Sequence, residues 1–265
     1  MTRALGKLES QFFAYAQLRR LTTVRAGMIA RALSLTKAQE TGLFRRLVRD
    51  GLIARVRRGL FLVPERLPLG GVWSPEPVQA LRALIEDRKG QYQICGPNAF
   101  NRYGFDEQIP NQLYAYNNRL SGTRRVGRVV LNLIKVRDSR LGEVEVGTSQ
   151  GYEAVYSSRV RTLVDAVYDW ARFNSLPRGY LWIRREITEG RVDDAGLADV
   201  AIRFGDKGTR RRIGYELEVL GAKESVLRRI QRGLPATSGP IPRDPTRPKR
   251  GAVNKRWGIV MNGEA

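Results

Sequence analysis

Histidine is absent from this chain of 265 residues, and cysteine occurs once, at Cys95. A lone cysteine cannot close an internal disulfide. Without histidine or a second thiolate, Cys/His zinc sites and Ser-His-Asp or Cys-His catalysis are excluded. Cys95 stands in the strand-like run YQICG and is expected to be a small core residue. No apolar run approaches the length of a membrane span. The N-terminal stretch MTRALGKLESQFFAYAQLRRL lacks the apolar core and cleavage site of a secretory signal. It shares an Arg-bearing amphipathic character with transit peptides, but its apolar spacing continues into the next element, as a first helix would. A cytoplasmic protein with no membrane partner is expected. Acids are the remaining scarcity: 26 Asp plus Glu against 47 Lys plus Arg, a formal net charge of +21. Polyanions concentrate around such a protein, so nucleic acid is the expected partner, ahead of an anionic membrane. General arginine richness from genome composition is the alternative. No Walker-type phosphate loop or dinucleotide glycine pattern occurs, and no cofactor or metal is expected.

What is present fits a folded chain: 42% hydrophobic residues, and length for two modest domains. Leu8, Phe12, Phe13, Tyr15, Ala16 and Leu18 recur at helical spacing over residues 7–20. Thr22 and Thr23 are candidate caps for a second helix over Val24 to Leu33, with Met28, Ile29 and Leu33 inward. Ser34-Leu35-Thr36 makes a turn. Thr36 with Gln39 three residues on is a capping box for a third helix, Lys37 to Asp50, which Gly51 ends. Leu43, Phe44, Leu47 and Val48 form its inner side. Its outer side carries Ala38, Thr41, Gly42, Arg45 and Arg49, flanked by Lys37 and Arg46; Glu40 and Asp50 fall near the inner edge. Small residues let a helix backbone approach the major groove, and guanidinium forks suit guanine O6 and N7 or phosphates. Two β-type runs between Leu52 and Val63 then flank Arg57-Arg58-Gly59, a basic hairpin with Arg55 on one strand. A basic hairpin alone would be a solvated loop. The order helix, helix, turn, helix, basic hairpin predicts a winged helix-turn-helix that reads double-stranded DNA over residues 1–64. Lys37, Thr41, Arg45, Arg46 and Arg49 would enter the major groove, and Arg55, Arg57 and Arg58 would hold the backbone from the wing.

Pro64 to Pro77 holds four prolines and a Gly-Gly pair and predicts a boundary, with residues 65–77 as linker and Trp73 as an anchor. Residues 78–265 are expected to form a separate α+β domain, strands first and helices after. Its predicted elements are a helix over Glu76 to Arg88, a strand over Tyr92 to Cys95 and a helical turn over Pro97 to Tyr103. Strands follow over Leu113 to Tyr116, Arg128 to Val136 and Glu143 to Thr148, with a basic turn at Gly122 to Arg125. Helices are predicted over Arg159 to Phe173, Gly179 to Glu189, Leu197 to Phe204, Lys207 to Leu220 and Lys223 to Gln231. Leu234 to Lys255 is read as extended, and Trp257 to Met261 as a last strand returning to the sheet.

Candidates for chemistry are sparse. Asp165 and Asp169 lie four apart on one helix with Arg161 and Arg172 nearby, a spacing usual for surface or interdomain ion pairs rather than acid-base work. Asp193-Asp194 fits a helix start. Arg124, Arg125, Arg210, Arg211 and Arg212 are candidate phosphate contacts, with a solvated helix face the equal alternative for the last three. No catalytic residue is assigned, and the chain is expected not to be an enzyme.

Several segments, taken in order, resemble the AbiEi-type antitoxins, the repressor halves of abortive-infection toxin–antitoxin pairs. They are the winged head, Tyr92 to Asn117, Arg161 to Asp165 (similar to RTLxD), Arg211 to Glu218 (similar to RRLGYLLE), and Asn254 to Trp257 with Asn262. The first helix and the Thr22 to Leu33 element match no part of that pattern. The resemblance implies a repressor that binds operator repeats of its own promoter, and a larger domain that antagonises a nucleotidyltransferase-like toxin without a tight complex. An RNA-binding or tRNA-modifying protein using the basic second domain is the alternative, and a scaffold that binds the toxin directly is a third reading.

Overall fold

A computed structural model describes residues 5–67, 72–235 and 239–262. Residues 68–71 of the expected linker and 236–238 of the expected extended stretch lie outside the described residues, as do both chain ends. The elements run α1 (Lys7–Leu18), β1 (Thr23–Arg25), α2 (Met28–Ala32), α3 (Lys37–Arg49), β2 (Ala54–Arg57), β3 (Leu60–Leu62), α4 (Pro77–Glu86), β4 (Tyr92–Ile94) and α5 (Pro97–Arg102). Then come β5 (Leu113–Asn117), β6 (Gly122–Val126), β7 (Val129–Lys135), β8 (Val144–Ser149), β9 (Tyr152–Ser157), α6 (Arg159–Tyr168), α7 (Trp170–Phe173) and α8 (Arg178–Thr188). The chain closes with α9 (Asp194–Phe204), α10 (Lys207–Val219), α11 (Glu224–Gln231), β10 (Ile241–Pro242), β11 (Val253–Asn254) and β12 (Ile259–Val260). The protein is thus of mixed α/β character, compatible with an α+β layout. No helix among the described residues is long and apolar enough to cross a membrane.

Two compact units divide the chain: Met1–Tyr92 with Asn111–Leu141 and Gly147–Ala154, and Gln93–Pro110 with Gly142–Val146 and Val155–Ala265. In the first, α1, α2 and α3 enclose a core of Phe12, Phe13, Ile29, Leu43, Phe44 and Leu47, closed by Val24, Ile53, Phe61 and Val63. Phe44 meets Phe61 at 4.4 Å between ring centroids. Burying each such ring stabilises the fold by about 1.5–3 kcal/mol. Strands β1, β3 and β2 form an antiparallel sheet in that order. Helix α3 begins as expected: Gln39 N donates to Thr36 Oγ1, and Thr36 N to Gln39 Oε1. It ends at Gly51, whose φ is +67°, with Leu52 N returning to the Leu47 carbonyl. The apolar face of α4 packs on β7 and β2. Strand β7 pairs in parallel with β5 and antiparallel with β6.

The second unit is dominated by helices. Helix α6 buries Leu163, Val164, Ala166 and Val167 and packs on α8, α9 and α10. Ile94 of β4 pairs in parallel with Tyr156 of β9. Trp257 is buried on Gly214 of α10, where a Cβ would come within 2.2 Å of the indole, so that position has no room for a side chain.

Four elements differ from what the sequence predicts. The second helix starts at Met28, not Val24, because β-branched Thr23 and Val24 pair with Leu62 and Phe61. Gly122 to Arg125 is strand, not turn, since β7 supplies the ladder that an arginine run does not signal. The helix read through to Phe173 breaks at Asp169. The C-terminal strand joins β10 and β11 in a small sheet of their own.

Candidate nucleic-acid interface

Helix α3 turns its apolar side to the core and leaves Lys37, Ala38, Thr41, Arg45, Arg46 and Arg49 exposed. Lys37, Thr41, Arg45 and Arg49 follow one another at intervals of four, a single ridge along the helix. Thr41 Oγ1 donates to the Lys37 carbonyl at 2.8 Å, so the hydroxyl keeps its acceptor lone pairs. Lys37 and Arg45 have no ion-pair partner among the described residues. Arg46 Nε lies 3.8 Å from Glu9 Oε1, and Arg49 Nε lies 2.9 Å from Asp50 Oδ1. The Asp50 hydrogen bond holds Arg49 above its ordinary pKa.

Glu40 interrupts the bases of α3 but does not face out. Its side chain is buried and accepts from three main-chain donors: Gly27 N at 2.7 Å, Ile29 N at 3.0 Å and Ala30 N at 2.9 Å. These are the open N–H groups at the start of α2. A carboxylate on α3 thus caps α2 and fixes the turn between the two helices.

The hairpin of β2 and β3 has an irregularity between Arg55 and Arg57, and a tip formed by Arg58 and Gly59, the latter at φ +77°. Ala26 N donates to the Gly59 carbonyl at 2.9 Å, which ties the tip to the start of α2. Arg55 and Arg58 are exposed and have no ion-pair partner among the described residues. Arg57 differs. Its Nε and Nη2 donate to Asp87 at 2.5 and 2.7 Å, and its Nη1 donates to the Arg58 carbonyl. Arg25 Nη1 reaches the same carboxylate at 2.9 Å. The Arg57 hydrogen bond, with that of Arg25, holds Asp87 below the usual carboxylate range against the opposing effect of burial. Neither Arg25 nor Asp87 was singled out in the sequence, and sixty-two residues separate them.

The remaining arginine candidates fall into two kinds. Arg124 and Arg125 are exposed on β6. Arg210, Arg211 and Arg212 point their guanidinium groups at main-chain carbonyls: Arg210 at Ile230 and Arg232, Arg211 at Trp257 and Gly239, Arg212 at Pro242. Burial pushes Arg210 and Arg211 below their ordinary pKa. These three tie α10 to α11 and to the C-terminal residues, and they form neither a free phosphate site nor a solvated face. Asp165 is fully buried, paired with Arg161 at 2.9 Å and accepting from Ser157 Oγ, so this pair is internal rather than on the surface. Asp169 lies 3.7 Å from Arg172, and Asp193 caps α9. Cys95 is buried. No group of three or more His, Cys, Asp or Glu among the described residues could hold a metal.

No protein-family model matches this sequence, and no curated protein matches it. The fold is similar to that of the RV2827C protein from Mycobacterium tuberculosis, solved by crystallography. The TM-score is 0.59 at 15% identity, over 97% of this chain and 92% of that one.

Proposed function

We propose that the chain is a DNA-binding transcriptional regulator whose elements α1 to β3 act as a winged helix-turn-helix. The observation that carries this reading is the exposed ridge Lys37, Thr41, Arg45 and Arg49 on a helix whose other face is core. The capping box and the Glu40 carboxylate hold that helix rigidly, so its outward side chains are presented in one register. An α-helix of this width fits the major groove, with Arg45 placed to fork onto a guanine and Thr41 to meet a thymine methyl or accept from an exocyclic amine. Arg55 and Arg58 on the hairpin would contact sugar-phosphate, which positions the helix without reading sequence. The acid beside the ridge, Asp50, is hydrogen-bonded to Arg49, and Glu40 is buried.

The rest of the proposal follows from the resemblance to AbiEi-type antitoxins: a cytoplasmic, non-enzymatic repressor of its own operon whose larger part counters a nucleotidyltransferase-like toxin. The test of the DNA-reading half is a gel shift of the promoter upstream of the gene. Arg45→Ala should relax base preference at one position, a loss of about 1–3 kcal/mol in discrimination. Arg58→Ala should weaken all sequences alike. Wild-type behaviour of both variants would sink the assignment. The antitoxin half is tested by co-expression with the product of the adjacent gene: growth arrest by that product, relieved by this chain, is the expected result.

A further inference from the structure

Strands β2 and β6 are each the outer strand of a sheet, and in the first unit they lie side by side. The turn joining β6 to β7 is anchored there. Val126 and Val129 are buried on either side of Gly127, whose φ is +60°. A Cβ at Gly127 would stand 3.2 Å from Pro75 Cδ and 3.4 Å from Ala54 Cβ, so the turn sits against the first residue of β2. The segment from 111 to 141 holds seven bases and one acid, Asp138. Three of the bases, Arg124, Arg125 and Arg128, are on this hairpin and exposed. Arg124 donates to the adjacent Thr123 carbonyl, and none of the three has an ion-pair partner among the described residues. This sets them apart from Arg25 and Arg57, which share Asp87.

We infer that the β6–β7 hairpin is a second nucleic-acid contact, which extends the footprint of the head along the duplex beyond the wing. The inference rests on reading the head as DNA-binding. Its ligand is the sugar-phosphate backbone outside the base-read site: the three arginines are exposed and have no ion-pair partner among the described residues, and the Thr123 hydroxyl between them and the strand start is bonded to Asn132. Five residues of β6 span about 17 Å, the length of about five base pairs. Charge on an outer strand can also serve to discourage edge-to-edge pairing, and the experiment separates the two roles.

The full chain is compared with its Arg124→Gln/Arg125→Gln/Arg128→Gln variant by fluorescence anisotropy across a salt series, on a short random-sequence duplex and on one about twice as long. Affinity for the long duplex should fall at least about tenfold, and the slope of log K against log salt should become shallower by about 1–2, since neighbouring Arg124 and Arg125 project to opposite faces of the strand. The short duplex should be bound as before. The corresponding triple lysine variant should recover wild-type binding, because backbone contact needs charge and not a fork. Unchanged binding of the long duplex by the glutamine variant, with Arg45→Ala still relaxing base preference, overturns the hairpin contact and leaves the reading head intact. Failure of the wild-type chain to bind any duplex removes both. A loss confined to duplex RNA, or no recovery with lysine in a variant that melts like wild type, also overturns the proposal.

Discussion

Arg57 donates three hydrogen bonds inside its own unit, two of them to the carboxylate that Arg25 also reaches. A phosphate approaching Arg57 competes with an anion already in place, whereas Arg55 and Arg58 have no ion-pair partner among the described residues. Arg57 is therefore a strut between the hairpin and the end of α4, and Asp87 is its counterpart. Asp87→Ala should lower stability by about 1.5–3 kcal/mol at neutral pH, the usual range for hydrogen bonds to a charged group. The lower end is expected because both arginines keep access to water. The pH dependence has a fixed sign. The native state holds Asp87 below its unfolded value, so the stabilisation is complete above that value, about 3.9, and is lost as pH falls through the depressed native pKa. Urea titrations at neutral pH and near pH 2 should show a wide gap between wild type and variant at the first and a narrow one at the second. A gap that stays constant with pH would rule out this ion pair as its source.

Among the elements, α3 was the most legible. Its capping residues, terminal glycine and apolar period are all local signals, and local signals are what a sequence displays. Strand β1 was hidden because three residues, Thr23 to Arg25, are too few to show a period, and their partner β3 lies almost forty positions away. Strand β6 was hidden by its arginines, which suggest solvent although the ladder to β7 is regular. The site followed the same division. Exposed bases on α3 could be read from the helical wheel, but the inward turn of Arg210 to Arg212 depends on carbonyls supplied by segments twenty to forty-six residues away. Glu40 sits between the two cases: its inward placement was readable, its role as the cap of α2 was not. Glu40→Ala should orphan three main-chain donors, and at about 1–3 kcal/mol each when buried the loss should be on the order of 3 kcal/mol after partial rehydration. Glu40→Gln keeps one acceptor and should cost less. Chemical denaturation decides, and an alanine variant within about 0.5 kcal/mol of wild type would mean that α2 needs no cap.

For the whole molecule, the net charge of +21 overstates the surface offered to a polyanion. Much of the arginine is internal wiring. Glu216 is buried between Arg184 and Arg243. Glu186 is buried among Arg159, Arg185 and Arg191; burial pushes its carboxyl up, but the hydrogen bonds from Arg191 and Arg159 outweigh this and leave it below the usual range. Asp165 closes on Arg161. Such arginines raise the count without adding phosphate contacts, so total charge is the wrong predictor of salt dependence. The relevant number is the exposed bases of the proposed contacts: Lys37, Arg45, Arg46, Arg49, Arg55 and Arg58 on the head, with Arg124, Arg125 and Arg128 on the hairpin. Each phosphate contact contributes about −0.9 to the slope of log K against log salt, so the slope should lie between about −5 for the head alone and about −7 with the hairpin. A titration from low to physiological salt measures it directly. A slope near −1 would mean that these residues do not meet phosphates together, and one far steeper than about −7 would mean that arginines held in internal pairs are released to the ligand.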